Sequence, residues 1–462
     1  MSSAALWVEA VESSPVKFRD AFWVWCRVAL LSFGGPAGQI AVMHRILVDE
    51  KKWISESRFL HALNYCMLLP GPEAQQLSIY IGWLLHRTWG GIVAGTLFVL
   101  PGFVSILALS ILYTVYGELT AVQGLFYGLK PAIIAVVVAA ALRMGQRVLR
   151  QRALVAVAIV SFVAIFFLNV PFPWIVATAG LLGLIAGTIW GGTWGALGHG
   201  TGSVVDPSEV AESQQVQDRR ARPGILRTLR TASVWLAVWW VPIALLATIF
   251  GVDSVFTQEA LFFSKAALVT FGGAYSVLAY VAQECVVTYG WLQPGEMLDG
   301  MGMAESTPGP LIQVVQFVGF MGAYRNPGSL SPMAAAVLGS VVTTWVTFVP
   351  CFLWIFTGAP YIESLRGNVK LNAIMAAISA AVVGVIFNLA IWFSLNTVFA
   401  KVTEVHGFGL RWWLPSWETL DPAAVAIAAC AFVAIFRFKL GLIQTLAGSV
   451  AAGFCYYTLV MA

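Results

Sequence analysis

Apolar residues run along this chain in long blocks separated by short charged stretches, and most blocks have the length of a membrane-crossing helix. Thirteen can be marked, near 20–40, 59–85, 90–116, 121–142, 153–169, 172–190, 231–252, 257–282, 300–322, 332–357, 371–399, 421–436 and 440–460. A helix needs about 20 mostly apolar residues to cross the hydrocarbon core. The 153–169 block sits near that minimum, and 231–252 and 332–357 reach it comfortably. The pattern predicts an all-α polytopic membrane protein with about 10–13 transmembrane segments.

The blocks also repeat. Ser32-Phe33-Gly34-Gly35 returns 238 residues later as Thr270-Phe271-Gly272-Gly273. At the same offset Trp53 meets Trp291, Pro70-Gly71-Pro72 meets Pro308-Gly309-Pro310, and Gln75 meets Gln313. Apolar segments interrupted by glycine and proline at matching places in two halves are the mark of a secondary transporter. The expected organisation is a first repeat over 1–196, a cytoplasmic linker over 197–230 and a second repeat over 231–462. Seven segments separate the two repeat starts, and an odd number predicts inverted topology.

Composition sharpens the membrane assignment. The chain is 59% hydrophobic and 10% charged, with a mean hydropathy of +0.82, whereas a soluble domain is roughly a quarter charged. Arginines cluster at Arg143, Arg147, Arg150 and Arg152, and again at Arg219, Arg220, Arg222, Arg227 and Arg230, which assigns both loops to the cytoplasm. The acidic turn from Asp253 to Glu259 then falls outside. The charged stretch 41–58 also lands outside unless the first segment re-enters the face it came from. The first residues carry charges and no short apolar core, so no cleavable signal peptide is expected. Six scattered cysteines without a CxxC pair and five dispersed histidines indicate no metal site or disulfide framework. No phosphate-binding loop, dinucleotide fingerprint or nucleophile elbow is present, so no cofactor, enzymatic activity or nucleic-acid partner is expected.

The chemistry concentrates at the breaks. Proline cannot continue a helix, glycine allows backbone shapes other residues resist, and freed backbone groups at membrane depth must find partners. Pro70, Gly71 and Pro72, followed by Gln75, read as the start of a half-helix whose N–H groups favour an anion. Pro308, Gly309 and Pro310, followed by Gln313, supply another. Gly34, Gly35, Gly272 and Gly273 break the preceding segments in the same way, and the Ser32 and Thr270 hydroxyls are candidate donors to an oxyanion, with bonding to helix backbone the alternative. Such residues also serve as packing kinks, but two motif pairs at one offset favour a binding site. Arg27 and Lys265 share the offset and would balance the charge of a dianion, with snorkelling of Arg27 to the cytoplasmic face the alternative reading for that residue. Glu73 and Glu305 flank the two Pro-Gly-Pro motifs and suit proton coupling, with helix capping the alternative for Glu73.

The stretches Leu31-Ser-Phe-Gly-Gly-Pro-Ala-Gly-Gln39, Asn64-Tyr-Cys-Met-Leu-Leu-Pro-Gly-Pro-Glu-Ala-Gln-Gln76 and Gly91-Ile-Val-Ala-Gly-Thr-Leu-Phe-Val-Leu-Pro-Gly102 closely resemble the chromate transporter family. The duplicated pattern is similar to that of its long, two-domain members. The second half departs from it, with Ala274 in place of Pro36 and Leu311 in place of Glu73. The resemblance implies a bacterial inner-membrane protein that exports chromate and confers chromate resistance, with coupling to protons. The expected partners are chromate or sulfate as substrate, protons, the lipid bilayer and a second copy as a homodimer. The rival readings are a sulfate or other tetrahedral oxyanion transporter, a passive channel, and a membrane-bound chromate reductase.

Overall fold

The structure is a computed structural model describing residues 16–189, 225–361, 368–407 and 409–461. Most of the expected linker, 197–224, lies outside the described residues. The first half of the chain holds α1 (Phe18–Leu31), α2 (Gly35–His44), α3 (Glu56–Cys66), α4 (Glu73–Tyr116), α5 (Thr120–Val148), α6 (Arg152–Phe166) and α7 (Phe172–Ile189). The next described helix is α8 (Ile225–Phe250). There follow α9 (Val255–Leu268), α10 (Ala274–Gln283), α11 (Glu296–Ser306), α12 (Val314–Arg325), α13 (Pro332–Gly358) and α14 (Val369–Val398). A two-stranded hairpin, β1 (Val402–Gly407) and β2 (Leu410–Pro415), leads to α15 (Pro422–Phe432) and α16 (Leu442–Tyr456).

Among the described residues, seven helices are long and apolar enough to cross a membrane, namely α4, α5, α7, α8, α13, α14 and, with its continuation, α16; α6 and α15 are shorter apolar helices. The chain is a multi-pass membrane protein. The blocks at 20–40, 59–85, 257–282 and 300–322 are not continuous. Each contains a Phe-Gly-Gly or Pro-Gly-Pro break, where glycines take backbone angles that other residues avoid: φ is 78° at Gly34, 72° at Gly272, 120° at Gly71 and 117° at Gly309.

The pieces fold back as helical hairpins with the breaks at their tips. Arg27 Nη1 lies 2.7 Å from Glu50 Oε2, which turns α2 and its π-helical extension (Arg45–Glu50) back along α1. His86 Nε2 donates to the Val16 carbonyl at 2.7 Å, bringing the kink in α4 at His86–Arg87 beside the start of α1. In the second half Arg325 binds Glu296 at 2.6 Å and the Trp291 carbonyl at 2.7 Å, tying the end of α12 to the start of α11. The ring of Tyr289 lies 5.3 Å from that of Phe262, which folds α10 onto α9.

Long-range packing interlocks the halves. Cys351, Phe352, Ile355 and Phe356 of α13 pack in the cluster built around Phe59, Leu77 and Phe98. Val99 and Ile106 of α4 pack in the larger cluster, which joins α5 and α7 to the helices of the second half. The long helices cross at small residues, as transmembrane helices do: a Cβ on Gly128 of α5 would stand 2.9 Å from the Gly453 Cα of α16. By contrast α8 fully buries only Trp239 and Ile243 and leaves much of an apolar helix exposed.

The β-hairpin was not legible as such in the apolar pattern. Arg411 fixes it to the end of α6, where helix carbonyls lack intrahelical donors. Its Nη2 donates to the Ile165 carbonyl at 2.8 Å, its Nε to Phe166 at 3.2 Å and its Nη1 to Asn169 Oδ1 at 2.7 Å. Burial lowers the Arg411 pKa from its ordinary value, but an arginine stays charged. Replacing Arg411 by alanine strands these acceptors and should cost about 3 kcal/mol; thermal unfolding of the purified protein in detergent measures the loss, and an unshifted midpoint would contradict it.

Candidate functional site

The four breaks meet in pairs, and each pair joins one half to the other. The Gly71 N–H donates to the Thr270 carbonyl at 2.8 Å, and the Gly309 N–H donates to the Ser32 carbonyl at 2.9 Å. These are the same bond under exchange of the repeats, since both residue pairs carry the 238-residue offset. The acceptors are available because each helix ends there. Ser32 and Thr270 turn their hydroxyls back onto carbonyls four residues earlier, at 2.6 Å to Val28 and 2.7 Å to Ala266. The two hydroxyl protons proposed as ligands are therefore occupied, and the residues act through their carbonyls.

Further bonds fix the junctions. Gln39 Nε2 donates to the Gly309 carbonyl at 2.5 Å, and Gln76 Nε2 donates to the Pro70 carbonyl at 2.7 Å. Ser276 Oγ donates to the Phe271 and Gly273 carbonyls, both at 2.8 Å, shaping the second loop. Each Pro-Gly-Pro also rests on a long helix of the other half. A Cβ on Gly309 would stand 2.8 Å from the Gly102 Cα, and one on Gly71 would stand 2.9 Å from Cys351 Sγ. Leu100-Pro101-Gly102 and Val349-Pro350-Cys351 are thus equivalent supports, spaced 249 residues apart. The sequence carried this signal, but the offset grows from 238 to 249 between the motifs and hides it.

With the glycine N–H groups engaged, the donors left for an anion lie one step further on. Pro72 and Pro310 offer no capping side chain, so the N–H groups of Glu73, Ala74 and Gln75, and of Leu311 and Ile312, have no intrahelical partner, whereas the Gln313 N–H donates to the Pro310 carbonyl at 2.8 Å. Gln75 is fully buried, and neither its amide oxygen nor its amide nitrogen has a hydrogen-bond partner among the described residues. Gln313 is half committed: its Nε2 donates to Gln316 Oε1 at 2.5 Å and Thr344 Oγ1 at 3.1 Å, while its Oε1 is unpartnered. Gly34 and Gly35 border open space, for a Cβ on either would meet nothing within 4 Å.

Both acids lie at the second loop. Glu73 Oε1 is 4.0 Å from where a Gly273 Cβ would stand, and its other oxygen is buried without a partner. Tyr275, two residues past Gly273, donates its hydroxyl to Glu305 Oε1, and Glu305 Oε2 has no partner. Tyr275 escaped sequence reasoning because the equivalent position in the first half is Ala37. The two cations stand differently. Arg27 is 48% exposed and paired with Glu50, and the Lys265 ammonium lies 5.9 Å from the centre of the Tyr280 ring. Among the described residues, no hydrogen bond or ion pair joins either cation to the two junctions.

A family model described as "Chromate transporter" matches residues 19–184 and 257–454. A chromate transport protein of Pseudomonas aeruginosa is 33% identical over 377 residues, which is 80% of this chain and 80% of that protein. A probable chromate transport protein of Synechococcus elongatus is 27% identical over 88% of this chain and 93% of its own length. A chromate transport protein of Cupriavidus metallidurans is 27% identical over 82% of this chain and 83% of its own. No solved structure matches the chain.

The crowding of the junctions predicts unequal tolerance of a methyl group. Gly309→Ala combines a forbidden backbone angle with a backbone clash and should cost at least about 3 kcal/mol. Gly34→Ala adds only left-handed strain in open space, about 1 kcal/mol. Comparing the midpoints of thermal unfolding of the two variants tests this, and equal losses would contradict the geometry.

Proposed function

The chain belongs to the chromate transporter family, and from that premise we propose that it exports chromate from the cytoplasm by proton-coupled secondary transport and so confers chromate resistance. The observation that carries this reading is the pair of crossed bonds from Gly71 and Gly309. They hold two half-helix starts, one from each repeat, at the contact between the halves, the arrangement that suits an anion site in a transporter built from repeats. Chromate would lie against the first-turn N–H groups after Pro72 and Pro310 and against the Gln75 amide. Glu73 and Glu305 would carry the coupling protons. Rocking of one repeat on the other would break and remake the crossed bonds.

The helix order supports inverted repeats in the bacterial inner membrane. With the α1–α2 and α3–α4 hairpins re-entering, the part of α4 beyond its kink, α5, α6, α7 and α8 make five crossings before α9 begins. An odd number starts the second repeat from the opposite face. The same order gathers Lys51, Lys52, Arg147, Arg150, Arg230 and Lys439 on one side, the cytoplasmic one by charge. Glu118, Asp253, Glu284, Glu404 and Glu418 fall on the other. Re-entry also returns the 41–58 stretch to the basic side.

Sulfate is the second reading, because a tetrahedral dianion of the same charge would meet the same donors. Uptake of chromate by inverted membrane vesicles, with and without a pH gradient and with excess sulfate, tests both. Wild-type uptake should depend on the gradient and resist sulfate, and Gln75→Ala should lower it at least about tenfold at unchanged protein level. Uptake indifferent to the gradient would remove proton coupling, and full competition by sulfate would favour the second reading.

A further inference from the structure

Glu259 belongs to no junction, and its surroundings are the most unusual of any carboxylate described. The sequence assigns it to an exposed acidic turn. Instead α9 begins at Val255, and its second turn carries Glu259 inward to 0% exposure. Neither carboxylate oxygen has a hydrogen-bond partner among the described residues. The side chain fills a slot between α12 and α13 that exists because two residues there are glycine. A Cβ on Gly322 would stand 2.8 Å from Oε1, and one on Gly339 would stand 3.0 Å from Oε2. Trp291 closes the slot, 2.9 Å from the same Gly322 position. The equivalent residue in the first half is Ala21, so the carboxylate is particular to the second.

Among the described residues, no neighbouring element offers a free cation. Cys285, on the π-helical turn after α10, contributes a buried thiol. From α12, Arg325 is committed to Glu296 and the Trp291 carbonyl. From α13 come Ser340 and Thr343, whose buried hydroxyls are themselves unpartnered. From α8, Trp239 donates its indole N–H to Ser264 at 3.1 Å. Lys265, on α9 itself, lies over Tyr280. An ionised carboxylate that accepts no hydrogen bond in such a slot is strongly disfavoured, whereas the neutral acid is tolerated.

We propose that Glu259 is a proton-binding site, protonated while α9 is seated between α12 and α13 and expelled from the slot when the proton leaves. Movement there reaches both junctions. The chain running on from α9 carries Thr270, the acceptor for Gly71, and α12 follows directly on Pro308-Gly309-Pro310 and Gln313. Glu259 stands in the second turn from the Asp253 end, so its proton would exchange with the acidic side of the protein. The link to transport rests on the proton-coupled reading above, but the protonation does not.

Two measurements on the full-length protein test the site. Infrared difference spectroscopy of the purified protein across pH should show a carboxyl titration in the wild type that Glu259→Gln lacks. In inverted vesicles the same variant should keep chromate–chromate exchange without a gradient within about twofold, and lose gradient-driven accumulation at least about tenfold. An unchanged carboxyl titration in Glu259→Gln would overturn the proposal. Should that variant fail to reach the membrane, Glu259→Asp decides, because an unshifted titration there also overturns it. Loss of the titration in Glu259→Gln, with a wild type that ignores the gradient, would sustain the proton site while refuting proton-coupled transport.

Discussion

Two backbone hydrogen bonds, from Gly71 to Thr270 and from Gly309 to Ser32, hold the rest of the structure in register. Within a bilayer every freed backbone group needs a partner, and each half frees such groups at two breaks. Neither half can satisfy them alone in this arrangement. The acceptor exposed by one repeat's Phe-Gly-Gly break is met by the donor at the other repeat's Pro-Gly-Pro. In this chain each half completes the other's break.

The crossed bonds also set what remains for chemistry. They consume the glycine N–H groups and leave the first turns after Pro72 and Pro310 uncapped, beside a buried Gln75 amide with nothing bound to it. A buried amide normally finds partners, and the unpaired one at Gln75 is the group on which the proposed anion site rests. The acids are asymmetric by comparison. Glu73 and Glu305 both face the 272–275 loop, and Glu259 lies along the helix leading into it. The first half has no counterpart to Tyr275 or Glu259, carrying Ala37 and Ala21 instead. The two halves share an architecture while these acids gather around the second Phe-Gly-Gly break and the helix leading into it.

Much of this was legible in the sequence. Apolar block length announced a helical membrane protein, and the repeated glycine and proline motifs marked the four breaks, because both follow from local physics: burial in lipid and backbone freedom at single residues. The family was legible from the same motifs. Tertiary structure alone decided which break met which, since a carbonyl and an N–H more than 190 residues apart carry no pairing signal. It alone turned Ser32 and Thr270 from hydroxyl donors into backbone acceptors, and set Arg27 against Glu50. Glu259 is the sharpest case. A charged residue near a turn reads as exposed, and only the small volumes of Gly322 and Gly339 on distant helices make room to bury it. Sequence determines what each segment can do by itself; packing decides which polar groups are left without partners, because that depends on atoms brought together from opposite ends of the chain.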